Sequence, residues 1–496
     1  MPQSAPSNIR VRFAPSPTGF LHIGGLRSAL YNELLARRHS GTFILRIEDT
    51  DQARLVPGAT EALVRTLKAC GLVPDEGVVL KPNGEVGETG DAGPYIQSKR
   101  KEIHRAYADK LIGMGKAYYC FCTERDLQKM REEQQAAALP TRYNRTCRAL
   151  SLEQATRRVD AGDPYVIRLA IPLKGSVAFD DEIRSNVAFE WKQVDDQVII
   201  KSDGMATYHL ANTCDDHDMG ITHVIRGEEW ISSTPKHLFI YQALGWTPPA
   251  FAHLPLLLNA DRTKLSKRQG DVAVEDYLTN GYLPEALINF VALLGWNPTG
   301  DREIYTHHEL AQAFDLTKVN KSGAVVNVEK LDWLNGHYVR TMERERYLEL
   351  VSPSLQELTQ DTSLMDRVAM LIRDRVVKLT DVPNLAGPYL KLVIEPDPLM
   401  LPWKSQTKEE AADRLDAILK LLTTLDHDAW HSVESLEQAI KALIEQRGWS
   451  NGEALWPLRV ALSGERQSPG PFELLYALGR ERSLTRVEQA LHALHG

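Results

Sequence analysis

The chain has 496 residues, 43% of them hydrophobic and 25% charged, with a net charge of −8 at pH 7, which is the composition of an ordinary globular protein with room for about three domains. No apolar run reaches the ~18 residues of a membrane span, and the polar start MPQSAPSN lacks the apolar core of a secretory signal. Five cysteines, at 70, 120, 122, 147 and 214, are too few and odd in number for a disulfide framework, so a reducing cytoplasm is the expected compartment.

Along the chain, NIRVRFA (8–14) alternates Ile9, Val11 and Phe13 with polar residues, as a strand does. A loop crowded with Pro and Gly, APSPTGFLHIGG (14–25), follows. Leu26, Leu30 and Leu34 then repeat at helical spacing, and the helix is expected to end before Gly41 as its C′ residue. TFILRI (42–47) predicts a second strand running into EDTD (48–51), and GATEALVRTLKACGL (58–72) a second helix. Strand, helix, strand, helix implies a parallel sheet with crossover helices. Residues 75–94, rich in Gly, Asp and Glu, are expected to form a surface loop, and 98–115 a basic helix. The texture changes over 116–195, with a Cys-x-Cys, a Glu/Gln/Ala-rich helix and short strands such as YVIRLAI (165–171). This segment reads as an insertion. Strand signals resume with QVIIKS and THVIRG, and STPKHLFIYQALG predicts a helix with Thr234 as N-cap and Pro235 at its first position. From about residue 275 the pattern is almost wholly helical.

The loop at 14–25 lies at the carboxyl end of a strand and leads into a helix N-terminus, where unpaired N–H groups and the positive dipole end suit phosphate. Gly24 and Gly25 let a ligand approach the backbone, and His22 can donate to a phosphate oxygen. The loop has no Walker pattern, and alone it would equally be a structural turn. LNADRTKLSKRQGD (258–271) carries Lys264, Lys267 and Arg268 in one polar stretch, and alone would equally be a solvated basic loop. Together, in this order, they are specific.

HIGG resembles the HIGH signature of the class I aminoacyl-tRNA synthetases, and KLSKR their KMSKS loop. RFAPSPTGFLHIGGLRSALYN, RIEDTD, YHLANTCDD and VIRGEEWISSTPKH resemble the bacterial glutamyl-tRNA synthetases. The likeness runs on through WPLRVALSG (456–464) and ALGRERSLTRVEQAL (477–491). The resemblance implies an α/β fold: a split Rossmann-like parallel-sheet catalytic domain (8–115 and 196–257) with an inserted acceptor-end-binding domain (116–195). A KLSKR loop and stem-contact region (258–335) and an all-α anticodon-binding half (336–496) would follow. It implies a monomeric, ATP-dependent glutamate–tRNA ligase, forming glutamyl-adenylate and pyrophosphate with ATP and Mg²⁺. The glutamyl group then passes to the 3′-terminal ribose of tRNA-Glu. Charging of tRNA-Gln as well stays open. A glutaminyl-tRNA synthetase would usually end in β-barrels rather than helices. Other nucleotidyl transferases of the superfamily are far shorter, and a non-catalytic tRNA binder would be expected to lose His22, Lys267 or Arg226.

The same resemblance assigns His22, Gly24, Gly25 and Lys267 to ATP, with His22, Lys264 and Lys267 as the catalytic residues acting on charge that builds during adenylate formation. It assigns glutamate to Arg12, Ala14, Ser16, Glu48, Tyr208, Asn212 and Arg226. Arginine grips a carboxylate through two hydrogen bonds, and Arg12 is expected on the side-chain carboxylate and Arg226 on the α-carboxylate. Glu48, helped by Ser16, suits the ammonium. Cys120, Cys122 and Cys147, with Tyr143 four residues before the last, resemble a zinc site of some relatives; Ala149 stands where another version has histidine. A reduced cluster without metal is the alternative. SKRKEIHR (98–105) and TRYNRTCR (141–148) are basic runs that either face phosphates or are simply solvated. LIRDRVVKL (371–379) matches in place a segment that reads the anticodon in the family. Activation is expected to require bound tRNA.

Overall fold

The computed structural model describes residues 8–265, 273–298, 300–391, 394, 395 and 397–495; the start of the polar N-terminal stretch, Lys267 and Arg268 lie outside the described residues. The chain divides into two compact units. One runs to Thr279 and includes Pro284–Leu331; the other comprises Asn280–Leu283 and the chain from Asp332.

The first unit opens with β1 (Arg10–Phe13), α1 (Ile23–Arg38), β2 (Thr42–Leu45) and α2 (Ala59–Ala69). β1, β2 and the following β3 (Glu76–Leu80) are parallel neighbours, and β4 (Val86–Thr89) closes the sheet antiparallel to β3. β3 and β4 occupy the stretch expected to be a surface loop. Its polar composition hides two structural requirements. Glu76 takes a two-pronged ion pair from Arg10, at 2.8 and 2.9 Å. Gly77 runs so close to β2 that a Cβ would stand 2.1 Å from the Leu45 carbonyl. At the end of α1 it is Ser40, at φ 52°, that takes the left-handed turn. Gly41 is required because a Cβ there would meet the Ile9 carbonyl at 2.2 Å.

The chain continues through α3 (Lys101–Gly113), β5 (Ala117–Cys120), α4 (Glu124–Ala136), α5 (Leu152–Asp160) and β6 (Val166–Leu169). Then come β7 (Ser176–Asp181), β8 (Ser185–Glu190), β9 (Val198–Ile200), α6 (Tyr208–Asp218), β10 (His223–Gly227), α7 (Thr234–Leu244) and β11 (Ala250–Leu254). β10, β11 and β7 form a second parallel set, edged by antiparallel β8. β5, β6 and β9 make a small antiparallel sheet. β1 lies beside β10, and Thr222, the residue before β10, ties the two: it donates its N–H to the Arg10 carbonyl at 2.9 Å and accepts the Arg10 N–H on its hydroxyl at 2.9 Å. α1 is buried along most of its length, with Asn32 donating to the Ile225 carbonyl. The carboxyl ends of β1, β2, β10 and β11 thus converge on one side, where ligands of open parallel sheets bind.

The second unit is helical. Its helices include Arg344–Gln356, Thr362–Ile372, Lys408–Thr424, Val433–Arg447, Asn451–Ser463 and Pro471–His495, the last broken at Gly479, which takes φ 71°. Buried Leu and Ile side chains such as Leu415, Ile418, Leu458 and Leu474 form its core. Among the described residues no helix is long and apolar enough to cross a membrane.

Candidate functional site

Where the strand ends converge lies a cavity of about 1120 Å³, large enough for a nucleotide beside a small ligand. Its wall brings together Arg12, Ala14, Ser16, His22, Gly24, Gly25, Glu48, Tyr208, Asn212, Arg226 and Lys264, the described residues nominated for catalysis, ATP and glutamate from sequence.

His22 is the N-cap of α1, its Nδ1 accepting the Gly25 N–H at 3.0 Å. An accepting Nδ1 carries no proton, so in the neutral ring Nε2 is the N–H donor. The cap therefore fixes a tautomer suited to an anion. Gly24 and Gly25 lie in the first turn under this ring. A Cβ on Gly24 would stand 3.1 Å from the imidazole, and one on Gly25 2.8 Å from Leu21 Cδ1. Packing around His22 is thus a second reason for glycine here. Lys264 is exposed at the cavity wall, on a turn closed by the Leu265 N–H donating to the Leu257 carbonyl.

Deeper in, charge is arranged in two ways. Arg12 pairs with both oxygens of Asp216, at 2.9 and 3.3 Å. Arg46, fully buried, bridges Asp216 (2.7 Å) and Glu48 (3.0 Å). Asn212 also donates to Glu48, at 3.2 Å. Burial pushes the Glu48 carboxyl above its usual range, against the pull of Arg46 and Arg12. These two guanidiniums and two carboxylates balance.

Arg226 does not share in that balance. It is buried, and its hydrogen-bond partners among the described residues are all neutral. Nε donates to His253 Nε2 (3.1 Å), Nη1 to the Tyr208 hydroxyl (2.9 Å) and His237 Nδ1 (3.2 Å), and Nη2 to the Thr234 hydroxyl (2.9 Å). Burial and the Arg226 charge hold His237 far below the usual histidine range. Burial with the Lys236 and Arg226 charges takes His209 down to about 3. Thr234, expected as a helix N-cap, is the first residue of α7; Ser233 precedes it as the cap, and the Thr234 hydroxyl serves Arg226 instead.

Sequence reasoning missed Arg46, Asp216, His237 and His253. His253, in the apolar strand AFAHL, carries the signal of a polar side chain among apolar neighbours; Asp216, in the polar run DDHD, carries none. Asp49 and Asp51 are occupied by the Ser98 N–H and by Arg54. The basic run at 98–105 is largely neutralised within the fold: Arg100 pairs with Asp215 and Asp218, His104 with Asp215, and Arg105 with Asp109. Arg145 and Arg148 of the second run both meet Asp196. In the helical unit, Arg373 donates to the Val339 carbonyl and Arg375 pairs with Glu473.

Away from the cavity, Cys120, Cys122 and Cys147 place their sulfurs within 4.8 Å of one another. Tyr143 Oη lies 3.3 Å from Cys120 Sγ and 3.5 Å from Cys122 Sγ. Cys122 and Cys147 are 3.5 Å apart, and the Phe121 N–H donates to the Cys147 sulfur at 3.4 Å. A tetrahedral zinc with bonds of ~2.3 Å to sulfur sets neighbouring ligand atoms roughly 3.5–3.8 Å apart, so these residues fit the ion.

Residues 8–333 match the family of class I tRNA synthetases (E and Q), catalytic domain, and 346–491 match an anticodon binding domain. The chain is 41% identical, over 98% of its length and 99% of the relative, to a glutamate–tRNA ligase of Clostridium botulinum. It is 42% identical, over 97% and 98%, to one of Alkaliphilus metalliredigens. The fold resembles the crystal structure of a glutamate tRNA ligase from Elizabethkingia meningosepticum in complex with its amino acid. That TM-score is 0.88 at 36% identity, covering 98% of this chain and all of the other.

Proposed function

The chain belongs to the class I tRNA synthetases of the glutamate and glutamine group, as an ATP-dependent glutamate–tRNA ligase, and from that premise we propose how its cavity divides the reaction. Glutamate lies with its two carboxylates on Arg12 and Arg226 and its ammonium on Glu48, helped by Ser16 and the Ala14 backbone. Tyr208 and Asn212, four apart on α6, hold Arg226 and Glu48 in place. ATP enters as its magnesium complex over the N-terminus of α1. His22 Nε2–H meets its phosphates from one side, and Lys264 with Lys267 from the other. One glutamate carboxylate oxygen attacks the α-phosphorus, the bond to the β-phosphate breaks, and pyrophosphate leaves. A hydroxyl of the tRNA's terminal ribose then attacks the acyl carbon, and AMP leaves. No side chain is covalently modified, so rate comes from positioning and charge.

The observation that carries this reading is the Arg226 charge. Arg12, Arg46, Asp216 and Glu48 sum to zero, so within this buried group at the inner end of the cavity Arg226 adds one positive charge that no carboxylate pairs among the described residues. Glutamate carries net −1 and glutamine net zero, so only glutamate restores neutrality in a place that penalises unpaired charge. The acceptor is tRNA-Glu, and its docking is proposed to bring His22, at the N-terminus of α1, and Arg226, on β10, into reactive alignment. ATP–pyrophosphate exchange tests this. Exchange is expected with glutamate only when tRNA-Glu is present, and with glutamine in neither case. Exchange driven by glutamine removes the charge argument, and equal exchange without tRNA removes the gating.

The acceptor-side cluster is proposed to hold one structural zinc through Cys120, Cys122, Tyr143 and Cys147, tying β5 to the segment that ends at Ala149. Freshly purified protein is expected to contain one zinc per chain, and Cys147→Ser to lose it and to become more sensitive to protease within 116–165. Metal-free parent protein refutes the assignment.

A further inference from the structure

We propose that Asp181 is a positioning residue for Arg226, acting through the tautomer of His253. The proposal rests on the reading that Arg226 holds a substrate carboxylate. Asp181 is the last residue of β7, in parallel register with Phe251 of β11, two residues before His253. Both side chains are shut off from solvent.

The hydrogen bonds leave little freedom. Asp181 Oδ1 accepts the N–H groups of Ile183 (3.0 Å), Arg184 (2.8 Å) and His253 (3.3 Å). Asp181 Oδ2 faces His253 Nδ1 at 2.5 Å. An ionised carboxylate only accepts, so Nδ1 carries the proton. Burial pushes the Asp181 carboxyl up, but the bonds from His253 and the Arg184 N–H bring it below the usual carboxylate range. Burial and the Arg226 charge lower His253, overcoming the pull of Asp181, so the ring is neutral. Its Nε2 is then a bare lone pair, and that lone pair accepts Arg226 Nε–H at 3.1 Å. Asp181 thereby selects the form of His253 that can receive the guanidinium, from a residue that does not line the cavity.

Asp181→Asn alters this without changing shape. Three backbone N–H groups keep the amide oxygen at the Oδ1 position, so the amide N–H₂ turns toward His253 Nδ1. The ring answers by moving its proton to Nε2, as histidines do when a carboxylate partner becomes an amide. Two donors, Nε2–H and Arg226 Nε–H, then oppose each other; Nε2–H is left to the Thr234 hydroxyl, 3.3 Å away, and the guanidinium loses its Nε acceptor and shifts from its seat. In His253→Gln the side-chain oxygen can accept Arg226 Nε–H whatever stands at 181.

The test is a double-mutant cycle read in the KM for glutamate and for ATP, with Arg226→Met alongside. Asp181→Asn is expected to raise the glutamate KM about tenfold or more in the parent background and less than twofold in the His253→Gln background, with the ATP KM within twofold throughout. Equal rises in both backgrounds, or none in the first while Arg226→Met raises KM, overturn the relay. An unchanged glutamate KM in Arg226→Met overturns instead the reading of Arg226. Nitrogen-15 NMR of the parent ring decides independently of whether the variants fold. A protonated Nδ1 and bare Nε2 at His253 are expected, and the opposite tautomer refutes the proposal.

Discussion

Replacing Arg226 with methionine is expected to raise the KM for glutamate by ~100-fold, because truncating one partner of a buried charged hydrogen-bonded pair costs about 2–5 kcal/mol and each 1.4 kcal/mol is tenfold. The same substitution is expected to leave the empty protein nearly as stable as its parent. Arg226 is buried among neutral groups, with Tyr208, Thr234 and two histidines as its partners. Four hydrogen bonds offset only part of the cost of keeping a cation from water. Methionine fills much of the same volume without that charge. Affinity and stability thus move apart, and this separates a binding residue from a structural one. Isothermal titration with glutamate and thermal unfolding of the same preparation read the two quantities. A large loss of stability with unchanged glutamate affinity contradicts the assignment.

Asp216→Asn is expected to do the reverse in magnitude, lowering the stability of the catalytic unit by ~3–5 kcal/mol, the cost of breaking a buried pair by removing one partner. Asp216 is the single acceptor that two buried guanidiniums share, Arg12 through two hydrogen bonds and Arg46 through one. An asparagine offers one oxygen and turns a donor toward two donors. Glu48 is left to balance two cations, although burial already disfavours its charged form. The loss is a large fraction of the ~5–15 kcal/mol that holds a typical domain. It is measured as a fall in the urea midpoint of the catalytic unit, followed separately from the helical unit because two units need not unfold as one. A midpoint within experimental scatter of the parent's refutes the shared-acceptor role. A second signature is weaker glutamate binding in whatever fraction remains folded, since Arg12 loses the group that aims it.

These two residues also mark where the sequence was readable and where it was not. β1, α1 and β2 were legible because Ile9, Val11, Phe13 and Leu26, Leu30, Leu34 carry their periodicity locally. Arg12, Glu48 and Arg226 were nominated by resemblance; nothing in their spacing distinguishes them from surface arginines and capping acids. Asp216 stayed hidden because its partner Arg12 is 204 residues away, and Asp181 because its partner His253 is 72 away. Local pattern carries no record of such pairings. Thr234 was misread for a related reason: a threonine before a proline at a helix start is a good cap by local rules, and only the fold brings Arg226 to its hydroxyl. The β3–β4 hairpin was lost in composition, since Glu76 and Gly77 look like loop residues until Arg10 and Leu45 stand beside them.

The bond between Arg10 and Thr222 spans 212 residues, and that separation sets a timetable for the newborn chain. β2 reaches one edge of β1 within a few dozen residues. The other edge waits for Thr222, which at about 5–20 residues per second is on the order of 10–40 s of further synthesis. Through that interval β1 presents unpaired N–H and C=O groups, and an open strand edge is a template for pairing with a wrong chain. Only four residues long and interrupted by Arg10 and Arg12, it is a short and charged template. Arg10, which the finished enzyme pairs half-buried with Glu76, and Arg12, which it buries against Asp216, keep positive charge on that edge, and Arg12 has no partner there until α6 is made.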